Sequence, residues 1–353
     1  MPDADFLRSR LPTLASCLPR LSLAQAPTPL HRRSAAFEGR SLPILIKHDD
    51  QTGSMYGGNK VRKLEYIFPH AKNRAAVRIA TFGAAGSNHA LATALYARQA
   101  GFDCTCFLSH QAKTPQVAKT LNKHIECGTE IVRYGGPYAR RIATLRETLW
   151  GRRAWVIPMG GSSWLGTIGF VAAGLEAAQQ LRNDADAWPD RLYVAAGTMG
   201  TAVGLALGFA LAELPIEVQA VRVSDVSIMN QAALDRLLCK SVTMMRRYDP
   251  GVPANLAGQA KLRVRDEFFG PGYAKGTPAT AEALAFGRAE LGLQLETTYT
   301  AMAMAALMAD WRAGSAVTPL YWHTCNSVPL GVSGDQPLDP GALPEEFLRY
   351  FGD

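Results

Sequence analysis

The chain of 353 residues is 48% hydrophobic and 19% charged, which excludes a disordered chain and favours two domains with large buried cores. Its formal net charge of +7 includes no run of five like charges. The basic excess therefore favours small anionic ligands, or only a basic surface, over nucleic acid.

The cysteines and histidines carry little functional signal. The six cysteines form no CxxC pair, which predicts free thiols in a reducing compartment. The seven histidines form no HxxxH or HxxEH pattern, so the sequence predicts no metal site. Because the N-terminus lacks the apolar core of a signal peptide and no long apolar run occurs, we expect a cytoplasmic protein without a membrane span.

Short runs rich in aliphatic and aromatic residues alternate with alanine- and leucine-rich segments of helical length. The runs predict strands at 42–48, 77–83, 104–110, 129–135, 154–160, 191–197, 217–224 and 318–324. This alternation predicts an α/β fold whose parallel sheets carry helices on both faces. Ligands bind at the carboxyl ends of strands in such sheets, so the strand-to-helix junctions are candidate sites.

The stretch YGGNKVRKLEY, residues 56–66, places Lys60 after a two-glycine loop and close to Arg62 and Lys63. One interpretation is a solvated basic turn, and the other is a reactive amine beside a bound anion. Neighbouring cations and removal from water both lower the pKa of an amine, as a nucleophilic lysine requires. These residues alone leave both interpretations open.

Three later junctions carry polar groups. In TFGAAGSNHALATALY, Ser87 has the N-cap position of a helix, an ordinary place for serine, but Asn88 and His89 follow it in an otherwise apolar helix. In YVAAGTMGTAVGL, small residues let backbone N–H groups face a phosphate, although the segment lacks a GK[ST] ending and a complete GxGxxG. Close packing of that helix on its strand is the alternative. The junction LYWHTCNSVPLGV indicates little alone.

Seven segments occur in one order: IKHDDQTGSMYGGNKVRKLE, GAAGSNHALATA, IPMGGSSWLGTIGF, AAGTMGTAVGL, GPGYAKGT, TTYTAMAMAAL and YWHTCNS. Together they resemble the pyridoxal 5′-phosphate enzymes of the D-cysteine desulfhydrase and 1-aminocyclopropane-1-carboxylate deaminase family, which have the tryptophan-synthase-β-like fold. GGNKxRKLE is the most specific segment. The resemblance implies two three-layer domains, each with a parallel sheet: a small one inserted at 64–172 and a large one of 1–63 plus 173–353. It also implies a cofactor in the cleft between them and a homodimer.

The resemblance implies roles for individual residues as well. Lys60 would bind the cofactor covalently and act as a base, Lys63 would lie near its phosphate, and Thr324 would meet its pyridine nitrogen. Asn88 would contact the ring oxygen. The other implied residues are Ala196, Gly197, Thr198, Met199, Gly200 and Thr201 around the phosphate, Ser87, Asn88, His89 and Gly161 around the substrate, and Tyr273 and Tyr299 as active-site phenols, with Ser87 and both phenols catalytic.

Two segments depart from the family pattern. ETTYTAMA stands where relatives read DPVY-[ST]-G-K-A, so Ala301 and Met302 replace a glycine and a lysine. HTCNSVP stands where they read HTGG-[AT]-P, so Cys325 and Asn326 replace two glycines. Side chains added at that turn narrow the pocket or change its backbone angles.

The triplet Ser-Asn-His, and Thr300 in place of an acid after Tyr299, favour the desulfhydrase branch of the family. We therefore expect a lyase that eliminates the β-substituent of D-cysteine or a related small amino acid. The products would be a 2-oxo acid, ammonia and the leaving group, for example sulfide. The alternatives are 1-aminocyclopropane-1-carboxylate deamination, and an amino-acid-binding protein of this fold without turnover.

Overall fold

The computed structural model describes residues 5–135, 153–183, 188–315 and 318–352. Its strands are β1 (Leu30–Phe37), β2 (Arg40–His48), β3 (Arg78–Ala84), β4 (Asp103–Ser109), β5 (Glu130–Arg133), β6 (Ala154–Ile157), β7 (Arg191–Ala196), β8 (Glu217–Arg222), β9 (Leu262–Arg265) and β10 (Leu320–His323). Its α-helices are α1 (Phe6–Arg10), α2 (Pro12–Cys17), α3 (Lys60–Asn73), α4 (Asn88–Gln99), α5 (Pro115–Glu126), α6 (Trp164–Arg182), α7 (Gly200–Leu211), α8 (Gln231–Tyr248), α9 (Leu256–Gln259), α10 (Pro278–Leu291) and α11 (Thr300–Arg312). Short 3₁₀ turns lie at Asp49–Gln51, Met159–Gly161, Pro340–Ala342 and Glu345–Tyr350.

The described strands form two sheets. One has six strands in the order β1-β2-β10-β7-β8-β9, and the other has four in the order β5-β4-β3-β6. The described pairings are parallel except for the β1–β2 hairpin, in which Phe37 lies opposite Arg40. None of the described helices is both long and apolar enough to cross a membrane.

The six-stranded sheet is buried on both faces. In β7, Leu192 and Val194 belong to one hydrophobic core, whereas Tyr193 and Ala195 belong to another. Successive side chains of a strand point to opposite faces, so the two cores lie on the two sides of the sheet. The second core also takes up Ala301 and Met302 of α11, which are fully buried.

Helices α3, α6 and α7 pack side by side at very short distances. A Cβ at Gly169 of α6 would lie 2.0 Å from the carbonyl oxygen of Arg62 in α3. A Cβ at Gly204 of α7 would lie 2.4 Å from the Cβ of Phe170 in α6. Any side chain at either glycine would push the helices apart. This close packing brings the amino ends of the three helices into one corner of the molecule.

The predicted α/β fold with parallel sheets is confirmed. All eight predicted strands are present, and their ends differ from the predicted ones by at most three residues: β6, for example, ends at Ile157 instead of at residue 160. β1 and β9 were not predicted. Both lie at an edge of the six-stranded sheet and expose polar side chains, so LHRRSAAF and LRVR lack the apolar run of a central strand. The domain boundaries stay a prediction, and they fall inside α3 and α6.

Candidate active site

A cleft lies where the carboxyl ends of strands from the two sheets face each other. Ala84 and Ser109 line it from β3 and β4, and Ala196 and Thr324 line it at the ends of β7 and β10. The space inside it is about 1240 Å³ when the open solvent at its mouth is included. The predicted site residues that line it are Lys60, Lys63, Ser87, Asn88, His89, Ala196, Gly197, Thr198, Met199, Thr201, Tyr273, Tyr299 and Thr324.

The two remaining predicted residues, Gly161 and Gly200, lie directly behind the cleft wall. A Cβ at Gly161 would lie 3.3 Å from Lys63 Cδ and 3.4 Å from His89 Cε1. A Cβ at Gly200 would lie 2.7 Å from Ser162 Oγ. Both glycines therefore leave room for the side chains that line the cleft.

Lys60 is the first residue of α3 and lines the cleft. Removal from water lowers the pKa of its amine to about 8. This leaves roughly a tenth of the amines unprotonated at pH 7, against less than about 0.1% for an ordinary lysine. Arg62 was expected to contribute to this shift, but its guanidinium is instead bound to Asp49 and Glu176, each at 2.8 Å. Burial is therefore what makes Lys60 reactive.

Lys63 follows one helical turn later and is buried. Its Nζ donates to the Gly160 carbonyl oxygen at 2.9 Å and to Ser162 Oγ at 3.2 Å. Burial, and then the charge of Lys60, hold the pKa of Lys63 well below its ordinary value. A bound anion would oppose this shift because it stabilises the charged ammonium form. Lys63 is thus a candidate for one side of an anion site.

The start of α7 forms the opposite side. Met199 has left-handed backbone angles, with φ 66° and ψ −25°, and the Gly200 N–H donates to Ser162 Oγ at 3.1 Å. A Cβ at Gly200 would lie 3.1 Å from Lys63 Nζ, so a larger residue would crowd this corner. A helix start with small residues and a left-handed turn is a common setting for backbone N–H groups that bind an anion.

Hydroxyl groups complete this corner, which we call the anion corner (Lys63, Ser162 and Thr198–Thr201). Ser162 Oγ lies 2.8 Å from Thr198 Oγ1. Asn59 Nδ2 donates to Thr201 Oγ1 at 3.0 Å, which connects α7 to the loop before Lys60. The anion corner thus combines a cation, a helix start and hydroxyl donors, a set that suits a phosphate.

Ser87 and Asn88 lie at the start of α4 on the other wall. Ser87 Oγ accepts the Ala90 N–H at 3.2 Å, so this serine caps the helix in the ordinary way. Asn88 Oδ1 accepts the Tyr56 hydroxyl at 2.9 Å. Because its oxygen is engaged, Asn88 has its amide N–H groups left to offer to a ligand in the cleft.

His89 is buried between the cleft and β3. Its Nε2 lies 2.8 Å from Thr81 Oγ1, whereas its Nδ1 has no well-aligned hydrogen-bond partner among the described residues. Burial, and then the charges of Lys60 and Lys63, hold the pKa of His89 well below its usual value. The His89 ring is therefore neutral and buried in the wall of the cleft.

Tyr299 and Tyr273 form a pair at the cleft, with their hydroxyl oxygens 2.7 Å apart. Tyr273 is 39% exposed and lies at the mouth. Burial, and then Tyr273, raise the pKa of Tyr299 well above its usual value, so its phenol stays protonated at neutral pH. Glu296, another cleft residue, accepts the backbone N–H groups of Tyr299 at 2.7 Å and Thr300 at 2.8 Å, which fixes the start of α11.

The turn after β10 is tied to the loop that carries Lys60. Asn326 Oδ1 accepts the Gly57 N–H at 2.6 Å, and the Thr324 carbonyl oxygen accepts the Asn59 N–H at 3.1 Å. Gly58 has φ +89°, and a Cβ there would lie 2.9 Å from the Thr324 oxygen, so this position needs glycine. Asn326, which replaces a family glycine, therefore acts as a brace.

Cys325, the other replacement, lines the cleft. Burial, and then the nearby carboxylates Glu296 and Asp50, raise the pKa of its thiol well above the ordinary value. The side chain is thus a neutral thiol at physiological pH. It occupies space in the cleft at a position where the family pattern has glycine.

Arg62, for which the sequence indicated no role, lies in a buried ion cluster behind the cleft. The carboxylates that bind Arg62 have further partners. Lys47 Nζ donates to Glu176 Oε1 at 2.5 Å, and Trp322 Nε1 donates to Asp49 Oδ2 at 2.8 Å. Burial alone would lower the pKa of Arg62, but the two carboxylates outweigh it and raise that pKa. The cluster fastens α3 to β2 and α6.

The sequence patterns did not indicate several residues that build the site, namely Asn59, Gly160, Ser162 and Glu296. Asn59 and Ser162 stood beside predicted residues, in GGNK and GGSS, so adjacency could have found them. Glu296 had no such signal because its partners are backbone N–H groups, which every sequence contains.

Comparison with known sequences identifies the family. The family described as "Pyridoxal-phosphate dependent enzyme" matches residues 21–319. A D-cysteine desulfhydrase of Salmonella paratyphi A is 33% identical over 302 residues, covering 82% of this chain and 88% of the relative. A nocardicin C-9′ epimerase of Nocardia uniformis subsp. tsuyamanensis is 30% identical over 344 residues, covering 94% of this chain and 98% of the relative.

Solved structures show the same fold. An ACC deaminase homologue superposes with a TM-score of 0.71 at 26% identity, covering 94% of this chain and 96% of the other. A pyridoxal 5′-phosphate-dependent aspartate racemase superposes with a TM-score of 0.58 at 15% identity, covering 86% of this chain and 91% of the other. This second similarity is evidence for the fold only. The chain therefore belongs to the pyridoxal-phosphate-dependent enzymes, and pyridoxal phosphate is its cofactor.

Proposed function

We propose that this enzyme is a lyase that eliminates the β-substituent of D-cysteine or a related small amino acid. With D-cysteine, the substrate and one water would give pyruvate, ammonia and sulfide. The observation that carries the proposal is the Lys60 amine, which has its pKa lowered to about 8 and lines a cleft between the anion corner and the start of α4. The similarity to D-cysteine desulfhydrase supports the choice of substrate.

The residues present fit pyridoxal 5′-phosphate. A Cβ at Gly160 would lie 2.1 Å from Thr198 Oγ1, so the anion corner exists only because glycine stands there. Lys60 would hold the cofactor covalently, the anion corner would hold its phosphate, Asn88 its ring oxygen and Thr324 its pyridine nitrogen. When bound, the cofactor supplies an electron sink for the negative charge that develops at the substrate Cα.

Proton transfer is assigned to Lys60. Its neutral amine is the base that removes the proton from the substrate Cα, and the low pKa keeps a useful fraction of it unprotonated at neutral pH. Tyr299 is kept protonated by burial and donates a hydrogen bond to the substrate. Tyr273 fixes that phenol through the 2.7 Å contact. His89 and Ser87 would face the substrate carboxylate, with Gly161 leaving room for the imidazole.

A substrate panel tests the proposal. The purified holoenzyme is incubated with D-cysteine, L-cysteine, other D- and L-amino acids with β-leaving groups, and 1-aminocyclopropane-1-carboxylate. We expect pyruvate and sulfide in equal amounts from D-cysteine over many turnovers. Ammonia released only from the cyclopropane amino acid would reject the desulfhydrase assignment, and binding without turnover on any amino acid would reject a lyase altogether.

Two related reactions are supported by specific similarities. The ACC deaminase homologue of similar structure supports deamination of the cyclopropane amino acid, which the panel measures directly. The epimerase similarity supports return of a proton to Cα instead of elimination. Chiral chromatography of unreacted substrate, with deuterium uptake from heavy water, separates epimerisation from elimination.

The organisation of the enzyme is also a proposal. The sheet of β3–β6 would belong to the small domain at 64–172, and the six-stranded sheet to a large domain of 1–63 plus 173–353. A homodimer in the cytoplasm follows from the family resemblance. Light scattering on the purified holoenzyme checks the dimer.

A further inference from the structure

Two histidines and an aspartate meet beside the turn after β10. β2 and β10 pair in parallel with His48 opposite His323, and residues opposite one another in a sheet point to the same face. Asp50 follows β2 in the 3₁₀ turn Asp49–Gln51. His48 Nδ1 and His323 Nδ1 lie 3.1 Å and 3.2 Å from the same oxygen, Asp50 Oδ1.

The environment of His323 indicates a missing partner. The residue is 1% exposed, and neither of its ring nitrogens has an aligned hydrogen-bond partner among the described residues. Its Nδ1 lies 3.2 Å from Asp50 Oδ1, so the two groups attract each other although the contact is not a well-aligned hydrogen bond. Buried polar groups in folded proteins are usually satisfied, and His323, unlike the equally unpartnered His124, lies beside a second histidine and a buried carboxylate that can share one ligand with it.

The buried charge of Asp50 also indicates an additional ligand. Its carboxylate is buried, and in the described part of the chain its ion pairs are to these two histidines. The nearby cations Lys47 and Arg62 are bound to Glu176 and Asp49. A buried carboxylate requires a compensating positive charge.

We propose that His48, Asp50 and His323 bind one divalent transition-metal ion, such as Zn²⁺, with a water molecule as a fourth ligand. Zinc bonds to nitrogen and oxygen at about 2.0–2.2 Å, so tetrahedral ligand atoms lie about 3.3 Å apart. The observed separations of 3.1 and 3.2 Å match this spacing, and the three ligand atoms all lie within 4.8 Å of one another. Imidazole and carboxylate ligands suit zinc and its neighbours in the transition series.

The ion would brace the cleft. His323 directly precedes Thr324, and the Asp50 carbonyl oxygen accepts the Ser327 N–H at 3.3 Å. A Cβ at Gly57 would lie 1.8 Å from that carbonyl oxygen, so the loop before Lys60 packs directly on Asp50. Metal binding therefore fastens the Thr324 turn and the Lys60 loop together and stabilises the fold, without a part in the chemistry.

Metal titration of the holoenzyme tests the site. The parent protein for all measurements carries Cys17→Ser and Cys239→Ser, because both thiols are exposed and would bind zinc themselves. After dialysis against a chelator, Zn²⁺ is added under calorimetry and Co²⁺ under visible spectroscopy. We expect one ion per chain, a higher unfolding temperature and the absorption of four-coordinate Co²⁺.

Three substitutions assign the ligands. His323→Gln and His48→Gln should each weaken binding about a hundredfold or more. The matched control is His124→Gln, because His124 is also a buried histidine without a hydrogen-bond partner but lies in α5 outside the cluster. His48 lies at the edge of the cluster with 12% of its side chain exposed, so its variant tests the site even if His323→Gln fails to fold. Failure of the parent to bind metal, or equal affinity in His48→Gln and His124→Gln, would overturn the proposal.

Discussion

Lys60 acquires its reactivity from burial. The cations that follow it in the sequence do not cause its low pKa, since Arg62 is bound to Asp49 and Glu176 and Lys63 belongs to the anion corner. The same four-residue stretch thus contains the proposed reactive amine, a buried structural cation and the proposed anion ligand. Which lysine or arginine plays which role depends on the partner that each side chain meets.

Attachment of the cofactor to Lys60 should depend on pH. Only the unprotonated Lys60 amine can attack the cofactor aldehyde, and its pKa is about 8. The rate of cofactor attachment to the cofactor-free enzyme should therefore rise about tenfold per unit between pH 6 and 7 and level off above about pH 8. Stopped-flow absorbance measures this rate. A rate that continues to rise up to pH 10 would show that the amine has an ordinary pKa.

Tyr299→Phe removes the phenol but keeps the ring. If the hydroxyl acts on the substrate, kcat should fall by about tenfold or more while cofactor affinity changes by less than about twofold. Steady-state kinetics and cofactor titration give the two values. If kcat and cofactor affinity fall by the same factor, the phenol contacts the cofactor and not the substrate.

At the scale of elements, the site depends on the packing of α3, α6 and α7. Gly200→Ala adds a Cβ 2.7 Å from Ser162 Oγ and 3.1 Å from Lys63 Nζ, so the Ser162 hydroxyl must shift and the Lys63 ammonium must yield by a few tenths of an ångström. We expect the cofactor dissociation constant to rise about tenfold or more, since small displacements in a preorganised site are costly.

Gly258→Ala is the matched control for that variant. It makes the same change in helix α9, where a Cβ would meet nothing within 4 Å. Its cofactor affinity should equal that of the parent. If both variants bind the cofactor equally well, the start of α7 does not hold the phosphate.

Some strands and helix starts could be predicted from the sequence and others could not. The apolar runs of central strands such as LYVAA and the junction Ser87–Asn88–His89 were visible because their signals are local. β1 was missed because it lies at the edge of its sheet and because His31, Arg33 and Ser34 are exposed. Ala301 and Met302 stood out as departures, yet they lie in a hydrophobic core rather than in the cleft.

At the scale of the whole molecule, the buried ion cluster should be a main source of stability. Arg62→Met removes the buried cation that pairs with Asp49 and leaves Glu176 with Lys47 alone, in a position where the Arg62 side chain is 3% exposed. The free energy of unfolding should fall by about 3–5 kcal/mol. Arg312→Met breaks ion pairs to Glu38 and Glu282 where the Arg312 side chain is 40% exposed, and should cost less than about 1 kcal/mol. Urea denaturation of the cofactor-free proteins compares them, and equal losses would contradict this account.

Contacts between distant segments could not be predicted from the sequence. Asn326 braces Gly57, and His323 meets His48 and Asp50, although more than 260 residues separate the partners. No local pattern connects such positions, because the pairing of β2 with β10 brings them together. Family resemblance identified Lys60, but the reason for its low pKa and the role of Arg62 required the folded structure.

The central claim is that Lys60 is the covalent attachment point of the cofactor. Borohydride reduction of the yellow holoenzyme, followed by proteolysis and mass spectrometry, tests it most directly. We expect the reduced cofactor on the peptide that contains Lys60, and no trapped cofactor in Lys60→Ala. A colourless protein that takes up no pyridoxal phosphate, or an adduct on Lys63 or another lysine, would contradict the claim.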